Sequence, residues 1–573
     1  MRTEQLGCLA VMLVLVTSIG TQAQQPADLV VFNGKVLTMD AQDSVVEAVA
    51  VRGGKILAVG TTAEIRKLAG PSTQLVDLHG RSVTPGLIDA HLHFADVSPL
   101  YSVDLSNATT IEDVQRMVKE RVSKAKPGDW IEGRGWDEGK LSEHRYIRAQ
   151  DLDAVAPANP VWLTHTTGHY GVGNSAALRL AKITAETKDP PAGTIDRDAN
   201  GQPTGVLKES AMEPVRTLIP PPTPSQLYDG YLRMMDALHR EGMTAIKDPG
   251  IHEENWAAYT KLLNDNKLTI HLFTLWYGGT TLESVRPVIA RLNQLPRPHA
   301  AGSNDLLIAG GIKLFMDGSG SARTAWMYDD WNKNWKDVDS GNRGYPAIEP
   351  QIYRQMVSEI HDAGIHVSTH AVGDRAIDWV VDTYDEVLKA KPTPALRHGI
   401  IHANLPTDHA IGTMVELERR YDAAYPEAQA EFMWWLGAYA DNLGEKRAQR
   451  LIPLQTYLKK GISWAGGSDY SVTPFPARYG IWSSVARQTL NGTYGPQPFG
   501  RAEAVDIHAA LRSYTIWAAH QLFLEDKIGS IEIGKDADLA VWDRDWYTVP
   551  TDVVKDMKCE MTIFAGKVIW TKD

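Results

Sequence analysis

Cysteine is nearly missing: the 573-residue chain carries two, Cys8 and Cys559. Cys8 falls in a segment that reads as a removable leader, so the mature chain would keep one thiol, and one thiol cannot close an internal disulfide. The fold must then rest on its apolar core and on any metal it holds. An excess of positive charge is missing too. Lys and Arg number 58 against 70 Asp and Glu, a net charge of −12, which leaves no electrostatic case for nucleic acid. The N-terminal apolar run, Cys8 to Ile19, falls short of the roughly 20 residues a membrane span needs. Internal repeats and low-complexity tracts are absent. With 43% hydrophobic and 22% charged residues, the composition is that of a globular protein, and disordered and fibrous classes drop out.

That N-terminal run, preceded by Arg2 and followed by Thr21-Gln22-Ala23, predicts a signal peptide over 1–23 and export to the periplasm or medium. Glu4 offsets Arg2, and Cys8 stands at the start of the run, the wrong end for a lipid anchor.

Beyond the leader, short runs alternate apolar and polar residues between glycines: Leu29–Phe32, Gly34–Thr38, Ala48–Val51 and Lys55–Val59. The C-terminus has the same texture at Ser530–Gly534, Asp538–Trp542 and Met561–Trp570. Period-two patterning with glycine turns predicts antiparallel sheet, and the shared texture predicts one β-sandwich from residues 24–84 and 527–573. The middle, 85–526, alternates strand-like and helical runs, the mark of βα units around a parallel sheet. Expected strands are Val83–Asp89, Thr244–Lys247, Leu306–Phe315, His366–His370, Ile400–His402 and Ile462–Gly466, with helices such as Ile111–Lys126 and Tyr353–Ala363. Residues from about 96 to 230 are too turn-rich for one crossover and read as an inserted subdomain. The expected fold is α/β: a (β/α)₈ TIM-like barrel with a sandwich from both chain ends and an insertion after the first strand.

The chemistry gathers at the ends of these strands, where barrel enzymes place their sites. Pro85-Gly86-Leu87-Ile88-Asp89-Ala90-His91-Leu92-His93 ends an apolar run in His-x-His. Residues i and i+2 of a strand share a face, so His91 and His93 can hold one ion, and neutral imidazoles suit zinc. Alone, the pair is as well read as two polar loop histidines. Lys313 lies inside Gly310–Phe315, where a buried ammonium is costly. His370, His402 and Asp469 each end a further run; alone, each has an ordinary structural reading, such as a helix N-cap for Asp469.

Taken in order, His-x-His, Lys, His, His, Asp at successive strand ends resembles the amidohydrolase superfamily. The text around them, Lys313-Leu314-Phe315-Met316-Asp317-Gly318-Ser319, His370-Ala371-Val372-Gly373-Asp374 and Gly529–Leu539, together with Gly168-His169, Asn174-Ser175 and Gly205-Val206-Leu207, resembles amidohydrolase family 3, the branch that includes N-substituted formamide deformylases. The resemblance runs from about residue 28 to 573. It implies that His91 and His93 bind a first metal, that Lys313 carries a bridging carbamate, that His370 and His402 bind a second metal, and that Asp469 approaches the first metal as general base. Zinc is the expected ion, one or two per chain. The implied activity is hydrolysis of a non-peptide, amide-type C–N bond in a small molecule, with His169 as an oxyanion donor.

The sequence departs from the family at Ile401, where many relatives carry an acid before the histidine, and over Tyr421–Leu443, which supplies Phe432, Trp434, Trp435 and Tyr439. With Trp326, Trp331 and Trp335 these aromatics suggest a barrel mouth for an aromatic or apolar substrate group, with Trp331 and Trp434 as contacts; packing of loops or of a homodimer interface explains them equally. Ester, lactone or cyclic-amide hydrolysis fits the same residues, as function lies in the fine shape of a site. A non-catalytic exported binding protein would need no general base.

Overall fold

The structure, a computed structural model, describes residues 25–298, 305–331, 341–490 and 497–572. The expected leader and Trp335 lie outside these residues.

Eight parallel strands form the central sheet: β1 (Leu87–Asp89), β2 (Met243–Ile251), β3 (His271–Tyr277), β4 (Leu307–Phe315), β5 (His366–Ala371), β6 (Gly399–His402), β7 (Tyr425–Ala428) and β8 (Ala465–Gly466). They pair in chain order from β1 to β8. The amide of Ala90 donates to Gly466 O (2.9 Å) and that of Asp469 to His91 O (2.7 Å), which ties β8 back to β1 and closes the barrel. The strands are buried along nearly their whole length, as they must be with helices outside and packed side chains inside. At Gly310 a Cβ would lie 2.1 Å from the Phe273 ring of the neighbouring strand, so only glycine lets the ring cross β4 there.

The run expected as one strand, Val83–Asp89, is two. Ser82–Pro85 pairs with Lys35–Leu37 and Leu539–Trp542 in a six-stranded sheet, and the chain then bends at Gly86 into β1. A Cβ at Gly86 would meet Thr244 Oγ1 at 2.1 Å, so glycine permits the crossing from sandwich to barrel. A four-stranded sheet of Lys55–Gly60, Ala48–Arg52, Ala27–Phe32 and Ala69–Asp77 faces the six-stranded one. Leu29, Val49, Val83, Leu539 and Ile563 fill the space between, so both chain ends do build one sandwich. Ser530–Gly534, expected as a strand, is not one: Ile531 packs into the sandwich core, Gly534 adopts φ +92°, and Ile533 is exposed.

Between β1 and β2 the chain builds a separate six-stranded sheet from strands between residues 103 and 209, with its own core around Trp136, Leu163 and Tyr170. Its strands Tyr170–Gly173 and Pro203–Glu209 pair antiparallel, and the chain just outside that pairing leans over the barrel mouth. No helix among the described residues is long and apolar enough to cross a membrane.

Candidate active site

The barrel brings the chemically capable residues to one end. His91 Nε2 lies 3.3 Å and His93 Nε2 3.0 Å from the same oxygen, Oδ1 of Asp469. Ligand atoms of His91, His402 and Asp469 all fall within 4.8 Å of one another. His402 Nε2 is 3.0 Å from His370 Nδ1. Lys313 sits buried on β4 with its Nζ 4.5 Å from the Phe315 ring centre. Two of the group, His402 and Asp469, hold left-handed backbone, φ 74° and 56°, a strained state for side chains other than glycine that concentrates at functional sites.

Their outer partners decide where the protons sit. His91 Nδ1 faces Glu427 Oε2 at 3.4 Å in hydrogen-bonding geometry, whereas its Nε2, though 3.3 Å from Asp469 Oδ1, is not aligned for one, so the proton belongs on Nδ1. His370 Nε2 donates to Gly318 O at 3.0 Å. His402 Nδ1 donates to Gln429 Oε1 at 2.7 Å. Each ring thus holds its proton on the outward nitrogen and turns a lone pair inward. Burial also holds all three imidazoles below their ordinary pKa, His402 at about 3, so they stay neutral. The inward atoms are then His370 Nδ1 against His402 Nε2, and His91 Nε2, which has no hydrogen-bond partner, against a carboxylate oxygen. Acceptors this close repel one another unless a cation sits among them. The donor set, neutral imidazole nitrogen with carboxylate oxygen, fits a divalent ion such as zinc, and each ring is oriented from behind as metal-binding histidines are.

Lys313 fits the same picture. Burial lowers its pKa from 10.5 to about 8, against the pull of Asp469 and Glu427. Near neutral pH a useful fraction is uncharged amine, the form that can take up CO₂.

Glu427, Gln429 and Lys247 were not among the sequence candidates. Lys247 on β2 lies 2.9 Å from Glu427 Oε1 in a fully buried ion pair, and Ser368 donates to the same oxygen. The signal was present in Tyr425-Pro426-Glu427-Ala428-Gln429: an acid and an amide two residues apart at a strand end share a face just as His91 and His93 do. Ile401, at the position where an acid was expected, packs in an apolar cluster. The acceptors behind His91 and His402 come from β7 and the residue beyond it instead. Asp317 also has a visible task. It accepts the amides of Trp326 (2.9 Å), Val372 (3.0 Å) and Gly373 (2.8 Å), pinning the loop after β5 beside His370.

Over this centre opens a cavity of about 840 Å³, lined by His93, Arg134, Trp162, His169, Tyr277 and Phe315 among others. A small space of about 20 Å³ beneath it touches His169, His370, His402, Phe432, Tyr439 and Asp469. His169 therefore stands between the opening and the ligand cluster. The two tryptophans expected at the substrate do not line either space. Trp331 is 1% exposed, packs in the main core and donates to Ala325 O at 3.2 Å. Trp434 packs against Trp435, Tyr479 and Trp482, with ring centres 5.2–5.4 Å apart. Both cover helices and loops beside the mouth, which is what large rings do when a flat surface is at hand.

Comparison with known proteins agrees with this architecture. The amidohydrolase family model matches residues 74–570. The chain belongs to the amidohydrolase family. Similar proteins include the N-substituted formamide deformylase of Arthrobacter pascens, 30% identical over 95% of this chain and 98% of that one. LONG AFTER FAR-RED 3 of Arabidopsis thaliana is 30% identical over 90% of this chain and 87% of that protein. Among solved structures, an uncharacterized metal-dependent hydrolase from Pyrococcus horikoshii shares the fold of this amidohydrolase with a TM-score of 0.69 at 24% identity, covering 91% of this chain and 99% of that one.

Proposed function

We propose that this amidohydrolase cleaves a non-peptide, amide-type C–N bond in a small molecule, using a divalent metal, zinc by its donor set. His91, His93, His402, His370 and Asp469 would hold the metal through the inward atoms identified above, and it would supply an acidified water and polarise the substrate carbonyl. Asp469 would take the proton of the attacking water and return it to the leaving nitrogen, which cannot depart as an amide anion. His169, at the edge of the opening, would face the carbonyl oxygen as negative charge develops there. Lys313 would complete the set as a carbamate: neutral Nζ attacks CO₂, an N–C bond forms, one proton leaves to solvent, and an unwelcome buried cation becomes an anionic ligand.

One observation carries the reading: histidines on three strands turn lone pairs toward one another and toward a carboxylate. The relative named as an N-substituted formamide deformylase supports a C–N bond as the target. The test is a screen of the zinc-loaded, bicarbonate-supplied protein on N-formyl amines, N-acyl amino acids, cyclic amides and matched esters. Turnover of a C–N substrate is expected. Asp469→Asn should keep most of the bound metal and lose about 10²–10⁴-fold in kcat, the usual worth of a general acid–base. Turnover of esters alone would overturn the choice of bond. Metal-free protein that retains full rate would overturn the reading entirely.

A further inference from the structure

Glu209 holds a backbone conformation that its residue type disfavours. Its φ is 50° and its ψ −127°, the region a type II′ turn reserves for glycine at its first central position. Nothing in turn geometry asks for a glutamate there. The reason lies across the strand pair. Tyr170 and Lys208 are opposite one another in the ladder, and the next residues out, His169 and Glu209, continue it with Glu209 N donating to His169 O at 2.8 Å. The side chains then meet: His169 Nδ1 is 3.0 Å from both Oε1 and Oε2 of Glu209. Thr324, in the loop after β4, donates to Oε1 and fixes the carboxylate from the far side. Gly318 leaves the room, since a Cβ there would come 2.4 Å from that oxygen.

We propose that Glu209 is a positioning residue that clamps His169 with its Nε2 turned to the reacting centre. With both carboxylate oxygens on Nδ1, the proton of Nδ1 points at Glu209 and the opposite nitrogen faces away from it. That direction leads to the ligand cluster: the His169 ring centre is 5.2 Å from that of His370, and His169 borders both the opening and the small space above Asp469. Strain retained at a place where a carboxylate grips a histidine follows the general pattern that unfavourable backbone persists where function needs it. The inference rests on the hydrolytic reading given above for the role of His169, but the clamp itself stands on geometry alone.

Glu209→Gly separates the clamp from the fold, because glycine suits the backbone that glutamate tolerates poorly. The variant should melt no lower than the wild type and bind the same amount of metal. Its kcat on the C–N substrate found in the screen should fall about 10- to 100-fold, within the range of a lost oxyanion donor, with KM within twofold. His169→Ala should fall at least as far, and the double variant no further than His169→Ala, because Glu209 acts through His169. Millimolar formate should restore part of the rate in Glu209→Gly and none in His169→Ala. Wild-type kcat in Glu209→Gly, or additive losses in the double variant, would overturn the proposal. A crystal structure of Glu209→Gly separates this from the hydrolytic reading: if no C–N substrate is turned over by the wild type, a His169 ring released from its position still supports the clamp, and an unmoved ring overturns it.

Discussion

Glu427→Gln should damage metal binding and stability by separate routes. The carboxylate serves three donors: Lys247 Nζ at 2.9 Å, Ser368 Oγ, and His91 Nδ1 at 3.4 Å. All lie within the barrel, with the Lys247 and Glu427 side chains 1% and 0% exposed, so water cannot screen or replace them. A glutamine keeps the shape but has one accepting oxygen and a donating amide. Lys247 is left as a buried cation without its counter-charge, a change that costs roughly 3–5 kcal/mol in comparable buried pairs. Independently, if the amide nitrogen faces His91 Nδ1, two donors meet and His91 must move its proton to Nε2, the atom proposed to face the metal. Loss of such an outer partner lowers metal affinity about 10–100-fold. Chelator competition reads the second effect, and melting of the metal-free protein reads the first. The double variant Lys247→Met/Glu427→Gln should recover most of the lost melting temperature, because no buried ion remains, while metal affinity stays low. Metal affinity within twofold of wild type in Glu427→Gln would refute the assignment of the His91 proton. Unchanged melting of the metal-free single variant would refute the role of the ion pair.

Two further outcomes follow from buried groups. Lys313 titrates near 8 in the folded chain against 10.5 as the ordinary value, so between those pH values the unfolded chain binds more protons and stability rises with pH. The difference is worth about 3 kcal/mol at 1.36 kcal/mol per pH unit; metal-free, CO₂-free wild type should gain about that much relative to Lys313→Met between pH 8 and 10.5 in denaturant titrations, and a pH-independent difference would show the amine is not buried as a cation. Trp331→Ala should lower stability by about 3–5 kcal/mol through the cavity it leaves, with KM unchanged; a large KM rise without destabilisation would return Trp331 to the substrate.

The barrel was legible because its strands end in residues that an apolar run does not otherwise explain. His91, His93, Lys313, His370, His402 and Asp469 all stand out against such runs. β3 and β7 escaped notice for opposite reasons. His271–Tyr277 is an apolar strand that ends in no metal-capable group, and Tyr425–Ala428 carries a proline and an acid, so it reads as a loop until Glu427 is seen to face inward to Lys247. The split at Gly86 depended on a long-range pairing with Leu539–Trp542, which no local pattern encodes. The tryptophans misled because an aromatic near a site in sequence can satisfy its surface demand on any neighbouring helix; Trp162, Tyr277 and Phe315 line the opening instead, while Phe432 and Tyr439, also expected there, do reach the small inner space. Glu209 was hidden because a glutamate after Val206-Leu207-Lys208 gives no hint of its positive φ.

A second cluster shows how proton placement, and not spacing, separates it from the proposed metal centre. In the inserted subdomain His165 Nε2 lies 3.3 Å from Glu138 Oε2 and 3.9 Å from Asp137 Oδ1, all deeply buried. On distance alone this trio matches His91 and Asp469. Yet the amide of Thr167 donates to His165 Nδ1 at 3.2 Å, and an amide N–H can only donate. Nδ1 is therefore the bare nitrogen, and the proton of the ring sits on Nε2, between the two carboxylates. Tyr170 donates its hydroxyl to Glu138 at 2.7 and 2.9 Å, and the acids raise the His165 pKa despite its burial. The proton that Nε2 carries lies among the acids, a pairing that can tie the subdomain core together without an ion. In the barrel the arrangement is inverted: the outward nitrogens of His91, His370 and His402 face Glu427, Gly318 and Gln429, and the inward ones form a set of acceptors that a bound cation would reconcile.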